Sequence, residues 1–214
     1  MDHASPLPGF LVQRYRGWKA TTHSENAAWY RRLAEDGQRP RTMVISCCDS
    51  RVHVTSIFGA EQGEFFIHRN IAALVPPYAP DGDLHGTSAA IEYAVTGLHV
   101  AHLIVMGHSH CGGVRHCYDM CAGTAEPPQH GGFVDRWMGL LRPGYETLPD
   151  ADEAARVAEL ERAGVRISLD NLMTFPFISA AVEAGELKLH GLYNDIASGG
   201  LWSLGGAGTA FEPI

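Results

Sequence analysis

Hydrophobic positions along the chain follow two periods. Short apolar runs at 42–46, 63–69, 102–106 and 188–193 predict buried strands, and 201–204 predicts a short strand at an edge. Between them, apolar residues recur at three- and four-residue spacing. That spacing predicts helices over 8–19, 24–35, 52–58, 88–98, 114–120, 151–163, 168–173 and 176–185. Ser24, Thr87 or Ser88, and Asp150 are the expected N-caps, and Pro176 opens the last helix. Residues 36–40 break the pattern, as do the proline-rich stretch 76–82 and the Gly-, Pro- and Thr-containing stretch 122–132. Strands alternating with helices imply an α/β fold, a central and mostly parallel sheet of four strands plus a short edge strand, flanked by helices. The expected organisation is a single domain over 1–214, with an N-terminal helical arm at 1–36 and an irregular tail at 205–214. Phe10, Leu11, Tyr15 and Trp18 lie at helical spacing in that arm, which suits it to pack on a neighbouring subunit.

Composition narrows the class without naming a chemistry. A length of 214 residues suits one core, and 45% apolar with 19% charged residues describes a globular chain. A net charge of -8 argues against nucleic acid as a partner. No apolar run is long enough for a signal or membrane segment, since His102 interrupts the best one, so cytoplasm is the expected location. The five cysteines are odd in number and lack the spacing of a small disulfide scaffold, which turns attention to metal binding or catalysis.

Two strand ends carry the candidate chemistry. The strand at 102–106 runs into His108-Ser109-His110-Cys111-Gly112-Gly113, and the strand at 42–46 runs into Cys47-Cys48-Asp49-Ser50-Arg51. Open parallel sheets collect ligands at the carboxyl edge, where both segments fall. Cys47, His108 and Cys111 there make three protein ligands for zinc, and three leave a position for water or substrate. Such a metal lowers the pKa of its water toward about 7. Asp49, two residues from Cys47, can accept a proton from that oxygen and aim it, while Arg51 holds the carboxylate by a bidentate fork. Asp49 can instead swing onto the metal as a fourth ligand and close the site. Cys48, His110, Cys117 and Cys121 are the alternative ligands; the first two adjoin ligands and should face away, and the last two share a helical face where packing is the commoner role. His53, His68 and His110 are candidate proton shuttles, because imidazole titrates near neutrality.

With these residues in place the sequence resembles the beta-class carbonic anhydrases, whose signature is C-x-D-S-R followed by H-x-x-C. The likeness runs over about residues 25–205 and includes Phe66-Ile67-His68-Arg69-Asn70-Ile71-Ala72 and Ala89-Ala90-Ile91-Glu92-Tyr93. Gln38, nine residues before Cys47, makes the resemblance closer to the plant-like subtype. The resemblance implies reversible hydration of carbon dioxide to bicarbonate, one zinc ion per subunit, and a homodimer or higher homo-oligomer with its sites at the interface. It implies that Gln38 binds substrate or bicarbonate and that Phe66, Ile71 and Tyr93 form an apolar wall. Gln38, Phe66 and Tyr93 would then come from the adjacent subunit, and the Gly112 backbone N–H would help stabilise developing charge. The other subtype is switched by bicarbonate held by tryptophan, arginine and tyrosine. Val44, Arg69 and Asn194 stand at those places here, so that switch is expected to be absent. Hydrolysis of carbonyl sulfide or carbon disulfide at the same kind of site is the alternative reaction, and a non-enzymatic protein with a four-ligand structural zinc is the remaining alternative.

Overall fold

The computed structural model describes residues 3–82, 85–127, 130–206 and 210–214. The chain divides into two compact units, Met1–Arg39 and Pro40–Ile214. The first holds helix α1 (Gly9–Trp18), a wider π turn (Lys19–His23) and helix α2 (Ala27–Asp36), none of which buries a side chain completely. Asn26, not Ser24, stands at the start of α2, and it makes no side-chain cap.

The second unit follows the order β1 (Thr42–Cys47), α3 (Val54–Phe58), β2 (Phe65–Asn70), a 3-10 turn (Ile71–Ala73), α4 (Gly86–Glu92), a π turn (Tyr93–Gly97), β3 (His102–His108) and α5 (Gly112–Ala122). It continues through α6 (Phe133–Met138), a 3-10 turn (Gly139–Leu141), α7 (Arg142–Glu146), α8 (Glu153–Leu172), α9 (Pro176–Glu183), β4 (Lys188–Asn194), β5 (Leu201–Leu204) and β6 (Phe211–Pro213). Among the described residues the strands form one sheet in the order β2-β1-β3-β4-β5-β6. The first four run parallel, and β5 and β6 add antiparallel at the edge. A central parallel strand is covered on both faces, which is why β1 and β3 read as nearly unbroken apolar runs.

Alternation along β1 divides the core. Met43 and Ile45 pack with Leu103, Val105, Val165, Leu172 and Ile178 on one face, and Val44 packs with Met106, Leu192, Val52 and Val54 on the other. A third cluster encloses Cys47 and Cys111 with Leu74, Val114, Met138, Leu141 and Leu160. Gly107, the last residue before His108, has no side chain because α8 crosses there. A Cβ at Gly107 would meet Val165 Cγ2 at 2.7 Å.

Three expectations need correction. The tail is not irregular throughout, because Phe211–Pro213 pairs with β5 through Trp202, Ser203 and Leu204. The helix expected over 151–163 and continued at 168–173 is the single α8, but its cap is Asp152 rather than Asp150, with Asp152 Oδ1 accepting the Ala155 N–H at 2.8 Å. Neither Thr87 nor Ser88 caps α4, whose N-cap position is His85 without a side-chain bond. The loop segments 76–85 and 126–132 lie partly outside the described residues. Among the described residues no helix is long and apolar enough to cross a membrane.

A pH dependence follows from the lower end of the sheet. His102 Nδ1 and His190 Nε2 lie 3.0 Å apart across β3 and β4. Burial, then the neighbouring His102 and Lys188, lowers the His190 pKa below its ordinary 6.5. Below the ordinary value the unfolded chain takes up this proton and the folded chain does not, so stability falls as pH drops through that window. The melting temperature is expected to fall between pH 7 and 5, and less steeply in His190→Gln. Equal slopes for the two proteins would remove His190 from the cause.

Candidate metal centre

Two strand ends and one helix start converge at the carboxyl edge of the sheet. β1 ends at Cys47 and β3 at His108, on neighbouring strands. After His108 the chain turns through Ser109, whose N–H bonds the Asn194 carbonyl of β4 at 2.9 Å, and through His110, which adopts a left-handed φ of 57°. Cys111 then stands at the N-cap position of α5 with extended backbone, its side chain directed back at the strands. Cys47 Sγ and Cys111 Sγ are 4.0 Å apart. The donor atoms of Cys47, His108 and Cys111 all lie within 4.8 Å of one another, and each residue is at most 4% exposed.

The electrostatics of the trio follow from its burial and its mutual contacts. The Cys111 thiol is the largest influence holding the Cys47 pKa down to about 4; burial opposes it, and His108 and the backbone N–H groups of Asp49 and Ala72 add to it. Those two N–H groups reach Cys47 Sγ at 3.4 and 3.3 Å. Cys111 is driven the other way, first by its bond to the Cys47 sulfur and then by burial. For His108, burial works downward, but the nearby Cys47 sulfur, the Ser109 carbonyl and the charge of Asp49 outweigh it and raise its pKa. His108 Nδ1 lies 2.9 Å from the Ser109 carbonyl, which can only accept, so Nδ1 carries the proton. His108 Nε2 is then a bare lone pair, buried and without a hydrogen-bond partner. A buried acceptor left unpaired costs about 1–3 kcal/mol, and a cation between Nε2 and the two sulfurs removes that cost. Two sulfurs and one imidazole are a donor set that fits zinc.

Asp49 and Arg51 form one unit beside the trio. Arg51 Nε donates to Asp49 Oδ1 at 2.9 Å and Arg51 Nη2 to Oδ2 at 2.7 Å, with the Arg51 backbone N–H on Oδ1 as well. The guanidinium holds the Asp49 carboxyl well below the usual carboxylate range. The same Nη2 donates to the His110 carbonyl at 2.9 Å, tying the turn after β1 to the turn after β3. Arg69 braces the first turn from beneath. Its Nε donates to the Cys47 carbonyl at 2.8 Å, and its Nη2 to the Asp49 and Val52 carbonyls at 2.7 and 2.8 Å.

The other residues singled out from the sequence are spread more widely. Ile71 adjoins Ala72 and packs over the start of α5, where a Cβ on Gly113 would meet Ile71 Cγ2 at 2.7 Å. Ala72 and Ala73 both adopt left-handed φ, and that turn is what aims the Ala72 N–H at Cys47 Sγ. Gly112 opens α5, and a Cβ there would meet nothing, so space lies open beside Cys111. Phe66 and Tyr93 make a tilted ring pair at 5.8 Å. Phe66 faces Met43 in the β1–β2 register whereas Cys47 faces Asn70, so four strand positions, roughly 13 Å, separate that pair from the sulfurs in one chain. Gln38 lies in the Met1–Arg39 unit, exposed after α2. Cys48 is exposed, the Cys117 thiol donates to the Met138 carbonyl, and Cys121 is half-buried, and none of them joins the trio. His53 bonds Thr55 and Ser56, His68 bonds Thr87, and His110 is exposed.

Sequence reasoning missed Glu161 and Tyr193. Glu161 Oε1 accepts the Cys111 N–H at 3.0 Å, and Oε2 accepts the Tyr193 hydroxyl at 2.7 Å. The available signal was a carboxylate set among Leu160, Gly164, Val165 and Ser168 on the buried stripe of α8.

Comparison with known proteins adds a family. A family model described as carbonic anhydrase matches residues 42–201. Beta carbonic anhydrase 3 of Arabidopsis thaliana is 34% identical to this chain over 194 residues, which are 87% of this chain and 73% of that protein. The fold is similar to the solved beta-carbonic anhydrase CcaA, with a TM-score of 0.83 at 26% identity over 95% of this chain and 90% of that one. It is also similar to a tetrameric beta-carbonic anhydrase of Sordaria macrospora, with a TM-score of 0.75 at 30% identity over 92% of this chain and 95% of that one.

Proposed function

This chain belongs to the beta carbonic anhydrase family and is a carbonic anhydrase lyase, and on that premise we propose that it interconverts carbon dioxide and bicarbonate with one zinc ion per subunit held by Cys47, His108 and Cys111. The observation that carries the metal assignment is the buried, unpartnered His108 Nε2 facing two sulfurs. A zinc ion there supplies Lewis acidity that brings the pKa of water toward neutrality.

The chain's own residues do the rest. Asp49, kept ionised by Arg51, accepts a hydrogen bond from the attacking oxygen and turns its free lone pair toward carbon. Because both Asp49 oxygens are occupied by Arg51, the carboxylate is restrained from becoming a fourth ligand. The Gly112 N–H at the start of α5, and Gln38 of the adjacent subunit as the resemblance implies, stabilise the oxygens as charge develops. Ile71, with Phe66 and Tyr93 from the adjacent subunit, gives the linear apolar substrate a dry wall. Two facts support the two-subunit reading: Phe66 and Tyr93 lie far from Cys47 within one chain, and the Sordaria relatives are tetrameric. The plant-like assignment fits the same picture. The proton leaves to solvent or buffer.

Metal analysis combined with a hydration assay over pH 6 to 9 tests this. About one zinc per chain and hydration that rises with pH are expected, with carbonyl sulfide hydrolysed more slowly than carbon dioxide is hydrated. Hydrogen sulfide release without hydration would overturn the substrate assignment. Arg69 is committed to three carbonyls, so inhibition by bicarbonate is expected to be simple and non-cooperative. Cooperative inhibition abolished in Arg69→Ala would contradict that.

A further inference from the structure

A carboxylate is an unusual choice for the buried stripe of α8. Glu161 is 5% exposed, and an unpaired charge there would be costly. It is not unpaired, because one oxygen takes the Cys111 N–H and the other the Tyr193 hydroxyl.

The Cys111 N–H needs such an acceptor. It follows the end of β3 and precedes the first turn of α5, so neither the sheet nor the helix ladder supplies a partner. Cys111 is itself only 3% exposed. Glu161 is itself fixed in place. Tyr193 sits on β4 opposite Gly107 of β3, and the Arg162 guanidinium lies 4.4 Å over the Tyr193 ring. The bare backbone at Gly107 lets α8 approach closely enough for its side chain to reach across the β3–α5 turn. Rotation of the Cys111 peptide would swing its sulfur, and the Glu161 bond opposes that rotation.

We propose that Glu161, braced by Tyr193, is a positioning residue that sets the direction of the metal ligand Cys111. This rests on the zinc reading above. Groups that hold a ligand from outside typically change metal affinity by about 10- to 100-fold when removed. Glu161 acts here as a hydrogen-bond acceptor, and glutamine keeps an acceptor oxygen for Cys111 and an amide for the Tyr193 oxygen.

The test uses the full chain as Glu161→Ala, Glu161→Gln and Tyr193→Phe. Zinc retention is measured by chelator competition, and the cobalt-substituted proteins are compared by their thiolate-to-cobalt charge-transfer absorption. Glu161→Ala is expected to lose about 10- to 100-fold in zinc affinity and to alter that absorption. Glu161→Gln is expected to restore most of both, and Tyr193→Phe to show a smaller loss. A purely structural residue would lower stability with and without metal while leaving the absorption unchanged. Wild-type affinity and absorption in Glu161→Ala, or Glu161→Gln behaving as Glu161→Ala, would overturn the proposal. Should Glu161→Ala not fold, Tyr193→Phe decides, and unchanged zinc affinity in it overturns the proposal. A wild-type chain that takes no metal on its sulfurs would instead overturn the zinc reading, before any variant is compared.

Discussion

Replacing Cys111 with serine is expected to remove both the bound metal and all hydration above the buffer rate. The sulfur cannot be replaced by a neighbour, since Cys117 is committed to the Met138 carbonyl and is not among the converging donors. A serine hydroxyl is a poor substitute because it keeps its proton at neutral pH. The substitution also removes the group that does most to lower the Cys47 pKa in the metal-free trio. In wild type the trio without metal has the pKa values of both Cys111 and His108 raised, so each holds a proton more firmly than the free side chain does. Metal binding must displace those protons, so zinc affinity is expected to rise by about tenfold or more per pH unit as pH increases from 6 toward 8. Chelator competition across that range checks the slope, and a flat profile would mean that the trio binds metal without losing protons.

How much of this was legible in the sequence differs from residue to residue. β1 and β3 could be read because a central parallel strand is buried on both faces and so has a nearly unbroken apolar run. Both strands end at chemistry-bearing residues, so the site's placement came with them. The segment 133–146 gave no clear period. It holds three short consecutive helical pieces, Phe133–Met138, Gly139–Leu141 and Arg142–Glu146, each too short to show a period. β6 was missed because three residues in a glycine-rich tail carry no alternation, and only their pairing with β5 makes them a strand. Asp150 and Asp152 are equally good caps by type, and only the bond to Ala155 separates them. Glu161 was missed for a different reason. Its function depends on a contact fifty residues away in the chain, and local spacing does not report such contacts.

Replacing Asp49 with asparagine is expected to leave zinc in place and lower kcat by about 10- to 100-fold, the equivalent of losing one charge-assisted hydrogen bond of about 1.5–3 kcal/mol. Asp49 is not one of the three converging donors, so metal content should match wild type. What changes is its dyad with Arg51. An asparagine keeps one acceptor oxygen, so the Arg51 fork cannot close on it, and the amide presents a donor where the attacking oxygen needs an acceptor. That oxygen is then free to rotate, and its lone pair points at carbon only part of the time. Arg51→Lys gives a complementary result, because an ammonium cannot make the two parallel bonds. Asp49 is then less restrained, and its carboxylate can turn toward the metal as a fourth ligand. The lysine variant should therefore lose activity with metal retained, and the thiolate absorption of its cobalt form should shift, whereas that of Asp49→Asn should not. Full activity in Asp49→Asn would show that the attacking oxygen is oriented without the carboxylate, and the role assigned to the dyad would fall.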